Sequence, residues 1–265
     1  MIPSKTDAPS AGEPRLEPIG IHQRFRFSCH PGVPCFNLCC RDLNQFLYPY
    51  DILRLRRRLG LTSGEFLSAY TRQHVGPETG LPVVSLRPAS SDHRECPFVT
   101  EAGCAVYEDR PASCRTYPLA RAVSRNRETG RVTEHWAVLR EPHCRGFETD
   151  NAQTVAEFIS DQETAVYNRY NDLLLDILRL KNQKMPGPLP LRERHIFHLA
   201  LYDLDAFRQK ATDAATLRDL HLPPERIERL QTEDIALLEV AHRWVGRVLF
   251  GKEPVLGIGG ADGVD

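Results

Sequence analysis

Eight cysteines stand between Cys29 and Cys144 of a 265-residue chain, and none follows. Cys29, Cys35, Cys39 and Cys40 read C-x5-C-x3-C-C, and Cys96 and Cys104 read C-x7-C. Cys114 lies in the run Asp109-Arg110-Pro111-Ala112-Ser113-Cys114-Arg115-Thr116-Tyr117-Pro118, and Cys144 in Pro142-His143-Cys144-Arg145. Clustered thiols suit soft metals. Zinc takes four thiolates in a tetrahedron, and iron–sulfur clusters are commonly held by four. Eight ligands therefore suit two sites, and at least four sulfurs should meet around a common centre. Adjacent side chains diverge in most backbone conformations, so Cys39 and Cys40 serve two neighbouring sites, or one ligates while the other supports it. The spacing matches neither the C-x2-C pairs of zinc fingers nor the C-x2-C-x2-C run of bacterial ferredoxins. The fold must assemble the site from distant segments.

Other readings of these residues are weaker. A lone free cysteine is usually a small buried hydrophobe, a reading that fits the isolated Cys144 best. His30, His93 and His143 each neighbour a cysteine and either substitute as ligands or are ordinary loop histidines. Arginine directly follows Cys40, Cys114 and Cys144, and guanidinium donors there would favour thiolates. Arg110 and Arg115 could instead pair with Glu108 and Asp109. The chain carries no H-E-x-x-H, G-x-S-x-G or P-loop motif, which argues against a hydrolase.

Composition bounds the rest. A formal net charge of -1 gives no bulk attraction to nucleic acid or anionic membrane. No apolar run is long enough for a membrane span, and the Pro- and charge-rich N-terminus lacks a secretory signal's apolar stretch. Eight thiols without a secretory context point to a reducing, cytoplasmic setting. The arginines at 54, 56, 57 and 58 read as a solvated helix face in preference to a nucleic-acid patch.

The elements that must position the thiols can be read as an α+β fold. Pro49, Asp51 and Gly60 start and stop one helix, and Thr62–Glu65 caps a second. Residues 82–88 are a short strand, and Cys96–Val99 and Cys104–Tyr107 are two more around a turn at Glu101–Gly103. Residues 117–125 and 131–139 form a hairpin across 126–130. Apolar residues recur at helical spacing over 149–180, predicting one long packing helix of about 150–182. Pro186–Pro190 breaks the chain, and 192–208, 224–230 and 233–250 read as helices. The predicted division is a disordered arm at 1–24, a cysteine-cluster domain at 25–184, a C-terminal helical segment at 191–250 and a flexible tail at 251–265. The glycines of 257–263 resemble a dinucleotide fingerprint, but no strand precedes them.

The cysteine groups, with Cys96-Pro97-Phe98, Cys104-x-Val106-Tyr107 and Arg110-Pro111-x-x-Cys114-Arg115-x-Tyr117-Pro118, resemble the YkgJ-type cysteine-cluster family, a zinc- or iron-chelating domain with a CxxCxxCC signature. The resemblance covers roughly residues 25–145, with a first group spaced more widely than the nominal signature. It implies ligation of an iron–sulfur cluster, most simply 4Fe–4S, or of zinc, by Cys29, Cys35, Cys39, Cys40, Cys96, Cys104, Cys114 and Cys144. It leaves three roles open. One is redox or electron-transfer chemistry with a protein partner. Another is a zinc-stapled interaction module. The third is a cluster-dependent methyltransferase, since flagellin lysine N-methylases share the cluster.

Overall fold

The computed structural model describes residues 13–89, 94–126, 132–211, 213–252 and 254. The fold is α+β, with short antiparallel sheets followed by helices. β1 (Arg15–Ile19) and β2 (Arg24–Arg26) precede the first cysteine loop. β3 (Phe46–Leu47), α1 (Pro49–Leu59), α2 (Ser63–Tyr70), β4 (Thr71–Val75) and β5 (Pro82–Leu86) come next. β6 (Val99–Thr100), β7 (Gly103–Cys104) and α3 (Ala112–Thr116) carry the middle cysteines. β8 (Leu119–Arg125), β9 (Val132–Arg140) and β10 (Ala152–Thr154) complete the strands. The helices α4 (Val155–Asp161), α5 (Thr164–Asn171), α6 (Leu173–Lys184), α7 (Leu191–Leu201), α8 (Leu204–Ala211), α9 (Ala214–Leu217), α10 (Pro224–Arg229) and α11 (Asp234–Phe250) follow. The sheets are β1-β9-β8, β3-β5-β4 and the pairs β10-β2 and β6-β7, all antiparallel.

Local chemistry explains most boundaries. Pro49 opens α1, where a missing N–H costs nothing, and Asp51 accepts the Tyr48 N–H at 2.8 Å. Gly60 closes it at φ 67°, a left-handed conformation that glycine adopts without strain. Thr62 and Glu65 exchange bonds at the start of α2, with Glu65 N donating to Thr62 Oγ1 at 3.2 Å and Thr62 N to Glu65 at 2.8 Å. The hairpin strands are β8 and β9, and the expected turn residues 127–130 lie outside the described residues, as do 1–12 of the arm, His93 and the glycines of 257–263.

Three expectations are corrected. Part of the expected arm is a strand: β1 lies along β9 with Ile19 opposite Trp136, fastened by Arg140 Nε donating to Glu17 at 2.6 Å. The single helix expected over about 150–182 is β10 followed by α4, α5 and α6, with Glu163 turned to φ 51°. The break is a packing requirement. Val155 and Phe158 belong to a small core with Phe25, Phe27, Leu119, Trp136 and Val138, whereas Tyr167, Tyr170, Leu173 and Ile177 join the large core. One straight rod would not reach both. The arginine run of α1 is not a wholly solvated face. Arg54 pairs with Asp109 at 2.7 Å, Arg56 with Asp234 at 2.5 Å and Asp205 at 3.5 Å, and Arg57 with Asp234 at 2.8 Å. The large core draws on α1, α2, β5, α5, α6 and the helices beyond Pro190 together.

Candidate metal centre

The first thiol group is built by the small core. Beyond β2, Phe27 packs edge-on to Tyr117, with ring centroids 5.9 Å apart, and against Phe147 at 5.4 Å. Ser28 N donates to Gly146 O at 3.0 Å. Gly146 is required there, because a Cβ would lie 2.6 Å from the Ser28 carbonyl oxygen and 2.7 Å from the Phe27 ring. That close approach sets the Cys144 turn beside the Cys29 loop. The Arg145 main-chain N–H then donates to Cys35 Sγ at 3.0 Å. Cys29, Cys35, Cys39 and Cys144 line one cavity of about 10 Å³, with Tyr117 and His143 at its wall.

The second group sits where the large core begins. Cys40 O accepts from Cys96 N at 2.7 Å, tying the first cysteine loop to the β6-β7 hairpin that carries Cys104. Cys96 and Cys104 pack against the large core beside Phe98 and Val106. Cys114 sits in the single turn of α3 and donates to Gln45 Oε1 at 3.3 Å. The position of α3 is set by Asp51, whose buried carboxylate accepts the Ala112 N–H at 2.9 Å. It is set again by Arg115, which donates to Gln162 O at 2.9 Å and to the Glu108 carbonyl, and whose guanidinium lies 4.8 Å from the Tyr167 ring centroid. Arg110 reaches the Gln162 side chain as well. The same two arginines therefore hold the α4–α5 break and the helix that presents Cys114.

Cys39 and Cys40 join the groups, with their sulfurs 4.0 Å apart. The electrostatics run across both groups, with Cys39 acting on Cys29, Cys96 and Cys114 alike. Cys29 is pushed up to about 11 by burial and then by Cys39, Cys35 and Cys144. Crowding by protein, then Cys96, Cys39 and Cys104, raises Cys114, although its side chain keeps an exposed flank. Cys96 rises to about 11 through burial, with Cys104 and Cys39 adding to it. Within the vicinal pair the two sulfurs share a hydrogen bond, and Cys39 is lowered to about 7 while Cys40 is raised. Thiols that resist ionising because of one another are relieved by a shared cation. All eight are free thiols. Among the described residues, no three Cys, His, Asp or Glu side chains already converge as a closed metal-holding group.

The arginine expectation is also corrected. The side chains of Arg41 and Arg145 turn to Glu95 and Glu148, each at 2.8 Å, and away from sulfur. Arg115 serves main-chain carbonyls, and Asp109 belongs to Arg54. Arg110 opposes the upward push on Cys29 and Cys104, and the Arg145 charge also feels Cys35. His30 Nδ1 accepts the Gly32 N–H at 3.1 Å, a loop role. Gln45, Gly146 and the site roles of Asp51 and Tyr117 had no separate signal in the sequence, though Asp51 marks a helix start and Tyr117 lies inside the most specific motif.

Residues 28–145 match the family model CxxCxxCC, described as a "putative zinc- or iron-chelating domain". The match spans just under half of the chain and contains every cysteine, so this stretch is similar to that domain. No curated protein and no solved structure matched the chain. Among the described residues, no helix is long and apolar enough to cross a membrane.

Asp51 makes the coupling between α1 and the domain testable. Burial raises its carboxyl to about 7, against the pull of the Tyr48 and Ala112 N–H groups and Arg115. Because the folded value lies above the ordinary 3.8, its contribution to stability is greatest below that value and declines as pH rises through about 7. Asp51→Ala is expected to cost about 2 kcal/mol, the price of two buried N–H groups without an acceptor less the relief of a buried acid. Urea melts at pH 5 and pH 8 check both points, since the variant should lose the wild type's decline between them.

Proposed function

We propose that this cysteine-bearing stretch holds two adjacent iron–sulfur centres, one at Cys29, Cys35, Cys39 and Cys144 and one at Cys40, Cys96, Cys104 and Cys114, and serves in redox chemistry. The division of eight thiols into two fours at the vicinal pair carries this reading. The donor set fits, since thiolates are the usual ligands of such clusters and four is the usual number. An iron–sulfur cluster brings its own sulfide, so it accepts thiolates spread more widely than the four around a single zinc ion.

When bound, a cluster supplies one-electron transfer. The chain's own part is to present the thiols, with α3 held by Arg115 and Asp51 and the Cys144 turn held by Gly146. Arg110 offsets negative charge, and the exposed flanks of Cys39 and Cys114 leave a route to a protein redox partner. Nucleic acid is not the target proposed, because Arg54, Arg56 and Arg57 are taken up in ion pairs. Free thiols in this number suit a reducing compartment such as the cytoplasm.

One observation favours a second reading, a zinc-stapled interaction module: the Cys29 cavity, at about 10 Å³, holds about one water-sized sphere. Anaerobic purification with iron, acid-labile sulfide and zinc analysis separates the two. Coloured protein with iron and sulfide in near-equal amounts is expected. Colourless protein with stoichiometric zinc overturns the iron reading in favour of the second.

A further inference from the structure

Tyr117 lines the Cys29 cavity together with Cys144. Its hydroxyl oxygen is buried and, among the described residues, finds no well-formed hydrogen bond. Its ring is fixed edge-on against Phe27, at 5.9 Å between centroids, so the hydroxyl cannot swing out to water without disturbing the small core. A buried phenol needs an acceptor. Two groups face it, the Cys144 sulfur and the Glu141 carboxylate. Glu141 is shared with His143, whose Nε2 lies 3.8 Å from it, and the turn from Glu141 O to Cys144 N, 3.0 Å long, holds the carboxylate and the sulfur on one loop. A protonated thiol is a poor acceptor, whereas a metal-bound thiolate is a good one.

We propose that Tyr117 is a positioning residue of this centre, whose hydroxyl donates to the Cys144 thiolate once metal is bound. The proposal rests on the reading that Cys144 is a ligand, but not on which metal it holds. Such a donor draws charge from the sulfur. It makes the ligated thiolate less nucleophilic, and in an iron–sulfur centre it stabilises the reduced, more negative state. The side chain that a sequence motif supplies between Cys114 and Pro118 thus acts on a cysteine about thirty positions later, in the other thiol group.

The test uses the full chain as purified with its metal. Iodoacetamide alkylation is followed at each cysteine by mass spectrometry in the wild type and in Tyr117→Phe. Metal content should be unchanged, and Cys144 should be alkylated about tenfold faster, the effect of losing one hydrogen bond to a charged group, while Cys96, Cys104 and Cys114 keep their rates. If the bound metal is iron, the midpoint potential should also fall. Unchanged Cys144 reactivity in metal-replete Tyr117→Phe overturns the proposal. If that variant fails to fold, 3-fluorotyrosine placed at position 117 keeps the shape and gives a more acidic donor. It should slow alkylation at Cys144, and no slowing overturns the proposal equally. Iron-free wild type would overturn the redox reading alone, whereas Cys144 alkylated in the metal-replete wild type as fast as in metal-free protein would show that it is not a ligand.

Discussion

Cys114→Ser is expected to strip one thiol group of its metal and leave the other loaded, so that total metal falls to about half. Structural zinc sites in small peptides are worth about 10–16 kcal/mol, so one thiolate of four carries roughly 3 kcal/mol, more than a hundredfold in affinity. Cys114 is suited to this test because its place is fixed from three sides, by Asp51 at the start of α3, by Arg115 within it and by Gln45 at the sulfur. Serine fits that place and keeps a donor for Gln45, so the change is confined to ligation. Solubility should fall with metal content, because Cys96 and Cys104 rest on the edge of the large core and lose their tether with the ion. Cys29→Ser should give the complementary half. Elemental analysis of both variants and of the double variant checks the division. Equal and complete loss in each single variant would mean one indivisible centre, and unchanged metal in Cys114→Ser would remove that residue from the ligand set.

The same residues show how far a sequence can be read. The ends of α1 and α2 were legible because each is decided by a few neighbours: Pro49, Asp51 and Gly60 for one, Thr62 and Glu65 for the other. The β8–β9 pair was legible from alternation. The break between α4 and α5 was not, because Val155, Phe158, Val166 and Tyr170 continue a helical period through it. What stops the helix lies about fifty positions earlier, where Arg110 and Arg115 take hold of Gln162. The split between α7 and α8 had a local trace that periodicity overrode: Asp203 accepts from Ala206 N at 3.3 Å as a cap, and from Ser63 Oγ at 2.8 Å. The thiols divide in the same way. The vicinal pair pointed to two neighbouring sites or to one ligand and its support, whereas the placing of the distant cysteines beside it depends on one close approach at Gly146 and one main-chain bond from Cys96 to Cys40. Neither has a sequence signature.

The arginine run of α1 is the clearest case of a local pattern with a distant meaning, and it yields the largest stability effect in the chain. Asp234, at the start of α11, receives Arg56 at 2.5 Å, Arg57 at 2.8 Å and the Arg208 guanidinium. Arg56 is 8% exposed, so its charge has little water to fall back on. Asp234→Ala should therefore cost about 3–5 kcal/mol, the usual penalty for leaving a buried charge unpaired. That is a large part of a typical total of about 5–15 kcal/mol. Burial alone would raise the Asp234 carboxyl, but Arg56, Arg57 and Arg208 outweigh it and hold it below the ordinary 3.8. A depressed carboxyl gives stability that is present above its unfolded value and lost as pH falls through the folded one. Acid should thus weaken the wild type below about pH 4 far more than the variant, which has already lost the contribution. Urea melts at pH 7 and pH 3 measure both differences. Replacing Asp234 and Arg56 together with Ala and Met should recover part of the loss, because the methionine leaves no buried charge to satisfy. A double variant no more stable than Asp234→Ala would show that Arg57 and Arg208, not Arg56, depend on that carboxylate.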